Sequence, residues 1–201
     1  MLRGAPNVPR GDSVIARYPL FQEAYYVRSV DEAAQKWARA FGAGPFFMVR
    51  HHKTEHFSYR GRDVEADVSY AFGYLGNMMI QFIEQHDEKP SIYRDLYANG
   101  EEGFHHIAYL VSDFAAERQR WLDLGYELAT ELYADQVNAA YFDTRTLNGG
   151  FTEIHGDPPH IMGLFAVWKR AHDTFDGTTP TIEIEKIKTY TPASMLPFKA
   201  G

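Results

Sequence analysis

The sequence predicts an α+β protein in which two βαβββ modules form a curved, barrel-like mixed sheet, followed by a C-terminal helix. The first observation behind this prediction is an internal repeat, because the strand-like segment around His106 has a fainter copy around Gln22, 84 residues earlier. The second is a repeated hairpin, in which Gln81 and Glu153 hold matching positions 72 residues apart. The third is a stripe of apolar residues at helical spacing after Pro159.

These patterns divide the chain into four parts. Residues 1–17 contain Gly and Pro without any periodicity and are expected to form an N-terminal arm. Residues 18–98 are predicted to form the first module with a linker, and residues 99–157 the second module. Residues 158–201 are predicted to be a C-terminal helix and tail.

Local signals place the elements of the first module. Ser29 and Glu32 have capping-box spacing, which predicts a helix from residue 30 to residue 41. Gly76 and Asn77 predict the turn of a hairpin. The predicted strands of this module cover residues 18–27, 45–52, 67–75 and 78–85.

The same order of elements recurs in the second module. Its helix is predicted over residues 113–124, and its strands over residues 105–111, 126–133, 138–144 and 150–155. A further helix over residues 161–175 is expected to pack on the outside of the sheet or on a partner subunit. The alternating tail at residues 181–190 suits an edge strand or an interfacial strand.

Composition excludes several functions. The formal net charge is −7 in 201 residues, which argues against nucleic acid as a partner because phosphate binding needs a basic surface. The sequence has no apolar run of membrane-spanning length and no signal-peptide pattern, so we expect no membrane partner and a cytoplasmic location. With no cysteine, the chain has no disulfide and no thiolate ligand or nucleophile.

Four polar residues occupy the repeated strand positions: Gln22, Gln81, His106 and Glu153. If each module curls its sheet into half a barrel, these side chains point into one cavity. One imidazole, one carboxylate and two amides suit a divalent cation such as Zn, Ni, Co, Mn, Mg or Fe. A buried histidine that is satisfied by hydrogen bonds, together with two ordinary hydrogen-bonding glutamines, is the alternative interpretation.

The motifs HHIAYLVSD, MIQFIE and FTEIHG resemble the vicinal oxygen chelate superfamily, which includes glyoxalase I, methylmalonyl-CoA epimerase, extradiol dioxygenases and bleomycin-resistance proteins. The resemblance covers roughly residues 18–157 and implies that Gln22, Gln81, His106 and Glu153 are the metal ligands. Epimerases of this family typically have histidine where Gln22 stands. Glyoxalase I of the human type has glutamate where Gln81 stands. The resemblance therefore implies a metal-dependent lyase or isomerase that stabilises an enolate, and two-module members are often homodimers.

Glu153 is our first choice for the catalytic base, because similar glyoxalases use a glutamate at this position as ligand and base. His155 lies two residues further along the same strand and is expected to face the same side. His105 is expected to face the opposite side from His106 and to be structural. Weaker candidates for acid, base or lid roles lie in an insertion before the first hairpin, for which a solvated loop is the simpler interpretation. They are Glu55, His51, His52 and His56.

Aromatic and other apolar residues on the predicted strands favour a small-molecule substrate that is bulky and apolar or aromatic. They are expected to line or back the cavity, or simply to form the core, and are Tyr25, Phe47, Tyr70, Phe72, Met79, Tyr141 and Phe151. A metal-free binding protein for a hydrophobic ligand is therefore a second hypothesis. An Fe(II) dioxygenase is a third, disfavoured because such sites need two histidines and a carboxylate, unless His155 supplies the second.

Overall fold

A computed structural model describes residues 18–184 of the chain. The predicted arm at residues 1–17 and the tail beyond residue 184 lie outside the described residues. The helices are α1 Val30–Phe41, α2 Ile92–Leu96, α3 Phe114–Asp123, α4 Arg145–Asn148 and α5 Pro159–Asp173. The strands are β1 Leu20–Tyr26, β2 Phe46–Val49, β3 His56–Tyr59, β4 Arg62–Asp63, β5 Val68–Leu75, β6 Met78–Gln85, β7 Gly103–Val111, β8 Leu128–Ala134, β9 Val137–Asp143, β10 Phe151–Gly156 and β11 Thr181–Glu183.

One mixed sheet contains all of these strands, in the order β11-β2-β5-β6-β1-β7-β10-β9-β8-β3-β4. The first strands of the two modules, β1 and β7, pair antiparallel at its centre, with Ala24 opposite His106. On either side of this pair the modules repeat the same arrangement, because β1 pairs with β6 in parallel and β7 pairs with β10 in parallel. The sheet curves but does not close over the described residues, so the predicted α+β fold with two βαβββ modules is confirmed as an open, barrel-like sheet.

The first helix forms where its sequence signals predict it. The Ser29 side chain accepts a hydrogen bond of 3.3 Å from the backbone N–H of Glu32, which satisfies one of the free N–H groups at the start of α1. Gly42 ends the helix in the left-handed conformation, with φ of 68°. The buried face of α1, which includes Val30 and Ala34, packs on the convex side of the first module.

The insertion before the first hairpin is more ordered than a solvated loop. It contains β3 and β4, and β3 extends the sheet of the second module, with His56 opposite Tyr133. Arg60, in the turn between β3 and β4, donates hydrogen bonds to Asp95 at 2.6 Å and to Asp143 at 3.2 Å. The pairing of β3 with β8 joins residues more than 70 positions apart, which local sequence patterns do not reveal.

The C-terminal helix α5 packs on the concave side of the sheet, and not on its outside as the sequence predicts. Leu164 and Trp168 are buried in the same apolar cluster as residues of β5, including Tyr70 and Tyr74. The apolar stripe fixes which face of α5 is buried but carries no information about which face of the sheet covers it.

Within residues 18–184, no helix is long and apolar enough to cross a lipid bilayer.

Candidate metal centre

The structure brings the four predicted metal ligands into direct contact, although they come from four strands. The Gln22 side-chain nitrogen Nε2 lies 2.7 Å from Oε1 of Gln81 and 3.3 Å from Nε2 of His106. The Nε2 atom of His106 lies 3.0 Å from Oε2 of Glu153. All four side chains are buried, and none of these residues is more than 5% exposed.

Strand register explains this convergence. Ala24 on β1 lies opposite Gln81 of β6 and opposite His106 of β7, so both point to the same side of the sheet. Gln22 lies two residues before Ala24 and therefore shares its face. Glu153 lies on β10, which pairs with the other edge of β7. Its position opposite Ala108, two residues after His106, places its side chain on the same face of the sheet as His106.

Burial shifts the protonation of the two ionisable groups in opposite directions. It lowers the pKa of His106, and it raises the pKa of Glu153 to about 7, against the opposing effects of His155 and of a hydrogen bond from Tyr141. At 3.0 Å the pair is close enough for an ion pair, but burial favours the neutral form of each partner. A hydrogen bond between a protonated Glu153 and a neutral His106 therefore describes the metal-free site best.

A cavity of about 100 Å³ lies over these residues, between the concave face of the sheet and α5. Gln22, Gln81 and Glu153 form its floor. Its walls are mostly apolar or aromatic and include Tyr70, Phe72, Leu132, Val137, Tyr141, Ile161, Leu164, Phe165 and Trp168. Such a shape, with a few polar groups in an apolar surround, is typical of a small-molecule site.

His155 lies in this cavity, on the same face of β10 as Glu153. Its Nδ1 atom is 2.6 Å from the carbonyl oxygen of Gly156, so Nδ1 carries the proton and Nε2 has a free lone pair when the ring is neutral. The ring packs between the side chains of Phe21 and Phe165. The geometry leaves His155 able to exchange a proton with a bound molecule.

The residues of the insertion do not join the floor of the site. His52 lines the cavity at its edge, whereas His51 contacts Asp67 at 2.8 Å and is exposed. His56 is exposed as well, and Glu55 is not part of the cavity wall. The insertion thus contributes one side chain to the rim and none to the cluster around His106.

One sequence prediction about side-chain direction is wrong, and one of the aromatic residues expected at the cavity or in the core belongs to the core on the convex side. The register of β1 against β7 shifts between Ala24 and Tyr25, which leaves His105 as the extra residue of a β-bulge. Because of this bulge, His105 turns toward His106, with 2.8 Å between their Nδ1 atoms, and does not face the opposite side. Tyr25 packs on Trp37 under α1, on the convex side, because it is out of phase with Ala24.

The remaining predicted pocket residues lie on the concave side, as expected. Tyr70, Phe72 and Tyr141 line the cavity, and Phe47, Met79 and Phe151 belong to the apolar cluster behind it. Sequence reasoning missed the residues of α5, although their apolar stripe was visible. It also missed Tyr141 as the hydrogen-bond partner of Glu153, for which no local signal exists.

The donor set fits a divalent cation. The site offers an imidazole nitrogen, a carboxylate and two amides, with a total charge of −1 when Glu153 is ionised, and such mixed oxygen and nitrogen sets suit first-row divalent metals and Mg²⁺. Within residues 18–184, no group of three or more His, Cys, Asp and Glu side chains could hold a metal, so the amides of Gln22 and Gln81 are needed here. In its present orientation the Gln22 amide directs nitrogen toward both Gln81 and His106.

Comparison with known proteins agrees with this fold. The family model described as the Glyoxalase/Bleomycin resistance protein/Dioxygenase superfamily matches residues 21–142, more than half of the chain. The chain belongs to this superfamily. The match ends within β9, so α5 lies outside the part of the chain that the superfamily model describes.

Two solved structures are also similar to this chain. A hypothetical protein from Bacillus halodurans C-125 is 18% identical, with a TM-score of 0.51 over 71% of this chain and 96% of that one. Methylmalonyl-CoA epimerase from Mycobacterium tuberculosis is 18% identical, with a TM-score of 0.49 over 71% of this chain and 90% of that one. The similarity to the Bacillus halodurans protein, at 18% identity, shows the fold alone. The comparison with curated protein sequences gave no match.

Proposed function

We propose that this protein is a divalent-metal-dependent isomerase or lyase that removes a proton from the carbon atom next to a carbonyl group. The observation that carries the proposal is the buried His106–Glu153 pair, with Gln22 and Gln81 in contact, on the floor of an apolar cavity. These four residues would hold the cation. When bound, the cation supplies a Lewis acid that stabilises negative charge on a carbonyl oxygen.

The protein's own side chains supply the proton chemistry. Glu153 is the proposed general base, because its buried carboxylate lies on the cavity floor, where a bound carbonyl compound would contact it. Tyr141 donates a hydrogen bond to Glu153 and holds its orientation. His155, on the same face of β10, is the second proposed acid or base. In an epimerisation, one of these groups would take the proton from one face of the carbon atom, and the other would return a proton to the opposite face.

The cavity also supports a substrate class. Aromatic rings of β5 and α5 form its walls, with Phe72 and Trp168 stacked at 5.3 Å between ring centroids. We therefore propose a small carbonyl compound with an apolar or aromatic group. The mostly apolar walls lower the polarity around the reacting carbon, which strengthens electrostatic interactions in the site.

A metal-free binding protein is the second candidate, favoured by one specific observation. The polar groups already satisfy each other, since the Gln22 amide contacts both Gln81 and His106 at hydrogen-bond distances. Such a floor could recognise a polar atom of a hydrophobic ligand without any ion. A dioxygenase of the two-histidine type has less support, because His106 is the one histidine among the four proposed ligands.

Two measurements test the proposal. Chelator-treated protein should bind Co²⁺, Ni²⁺ or Mn²⁺ in calorimetric titrations, and His106→Ala should abolish binding, whereas His56→Ala, which removes an exposed histidine, should not. The loaded protein should exchange an α-proton of at least one compound in a panel of thioesters, 2-oxo acids and hemithioacetals for deuterium from D₂O, observed by NMR. Wild-type protein that binds none of these ions would contradict the proposal, and ligand binding that survives chelation would favour the second candidate.

A further inference from the structure

A chain of hydrogen bonds leads away from the candidate metal centre through the second histidine of the HHIAYLVSD motif. The Nδ1 atom of His106 lies 2.8 Å from Nδ1 of His105, and Nε2 of His105 lies 3.3 Å from the backbone carbonyl oxygen of Ile92. Both histidines are 0% exposed. None of these contacts takes part in the proposed chemistry directly.

The carbonyl group of Ile92 determines which ring nitrogens of His105 and His106 carry protons. A carbonyl oxygen only accepts hydrogen bonds, so Nε2 of His105 must carry a proton and donate it to Ile92. A second proton, on Nδ1, would make His105 an imidazolium ion. The surroundings of His105 disfavour that ion, because its ring is buried against the rings of Tyr93 and Phe151. Nδ1 of His105 therefore has a lone pair and acts as an acceptor.

The proton position on His105 determines the proton position on His106. Two nitrogen atoms at 2.8 Å share one proton, and since Nδ1 of His105 is the acceptor, Nδ1 of His106 is the donor. The neutral ring of His106 then has its lone pair on Nε2. That atom is the one that faces Gln22 at 3.3 Å and Glu153 at 3.0 Å.

We infer that His105 is a positioning residue which locks His106 in the tautomer that presents the Nε2 lone pair to the metal centre. Histidine ligands generally donate their other ring nitrogen to a carbonyl or carboxylate, which fixes the tautomer and the ring orientation. Here an uncharged histidine in a β-bulge replaces that group. The inference rests on the proposed metal-binding function of His106.

The fold holds the carbonyl group of Ile92, at the far end of the hydrogen-bond chain, in place. Ile92 is the first residue of α2, the short helix between the modules, and it is completely buried. The side chain of Ser91 caps α2 and donates a hydrogen bond of 2.6 Å to Gln85 at the end of β6. The linker helix is thereby fixed to the sheet, and it directs the carbonyl group of Ile92 at His105.

Two variants separate hydrogen bonding from packing. His105→Asn places an amide oxygen near the position of Nδ1 and keeps an acceptor for His106. His105→Phe keeps a ring against Phe151 and Tyr93 but has no acceptor. Loss of such a supporting partner typically weakens metal affinity by about 10- to 100-fold. We expect this loss of Co²⁺ affinity in His105→Phe and affinity within a few fold of wild type in His105→Asn.

The tautomer itself can be observed without any metal. In ¹⁵N NMR spectra of metal-free protein, His106 should show a protonated Nδ1 and an unprotonated Nε2, and His105→Phe should populate the opposite tautomer. A proton on Nε2 of His106 in wild-type protein would overturn the inference, as would equal Co²⁺ affinities in wild type and His105→Phe. Wild-type protein that binds no Co²⁺ contradicts the proposed function instead, and the two failures are therefore distinguishable.

Discussion

At the residue scale, the ionisation of Glu153 carries a large electrostatic cost in the metal-free protein. Its side chain is buried beside the neutral imidazole of His106, and burial raises its pKa from 4.5 to about 7. The hydrogen bond from Tyr141 offsets only part of the desolvation. A carboxylate placed this way is costly for stability, and a divalent cation would remove the cost by neutralising the charge.

The raised pKa of Glu153 predicts that the stability of the metal-free protein depends on pH. Because the folded state binds this proton more tightly than the unfolded chain does, the added stability is complete below pH 4.5 and is lost as the pH rises through about 7. We expect metal-free wild-type protein to lose on the order of 3 kcal/mol relative to Glu153→Gln between these limits. Urea unfolding of both proteins across this pH range measures the difference. Parallel profiles for the two proteins would contradict the assignment of the raised pKa to Glu153.

At the element scale, the approach of β10 to the bulge in β7 depends on a residue without a side chain. A Cβ atom added at Gly150 would lie 2.4 Å from the carbonyl oxygen of His105, far inside normal contact distance. A Cβ atom added at Gly156, at the other end of β10, would meet its nearest neighbour at an ordinary 3.6 Å. The two glycines therefore form a matched pair for testing whether the bulge is built into the packing.

We predict that Gly150→Ala destabilises the protein by about 1–3 kcal/mol, because the clash involves backbone and pushes β10 away from His105. Gly156→Ala should change stability by less than about 0.5 kcal/mol, as substitutions without such a clash usually do. Chemical denaturation of the two variants beside wild type provides the comparison. A loss in Gly150→Ala as small as that expected for Gly156→Ala would show that β10 can move away from the bulge at little cost.

Elements that depend on local signals could be predicted from the sequence, whereas those that depend on pairing could not. The helix α1 and the first hairpin could be predicted to within one residue from Ser29 with Glu32 and from Gly76 with Asn77, because caps and turns are set by adjacent residues. The four residues of the candidate site could be predicted from the repeat alone. The direction of His105 could not, since a bulge arises from the register between two strands. The side of the sheet that α5 covers is likewise a tertiary choice.

At the scale of the whole molecule, the candidate metal centre lies at the junction of the two modules. Gln22 and Gln81 come from the first module, and His106 and Glu153 come from the second. The antiparallel pairing of β1 with β7 brings these halves of the site together. An ion held by all four residues would therefore link both modules, and its binding energy would stabilise the folded chain as one unit.

This arrangement predicts a metal-dependent thermal stability. At a free Co²⁺ concentration of about 100 times the dissociation constant, binding to the folded state adds about 2.7 kcal/mol. For a chain of this size, that energy corresponds to a rise in Tm of about 5–10 °C. We expect the rise in wild-type protein measured by calorimetry, and we expect it to disappear in Gln22→Leu as well as in His106→Ala, because each variant removes a ligand from a different module. A rise that persists in Gln22→Leu but not in His106→Ala would mean that the second module binds the ion without the first.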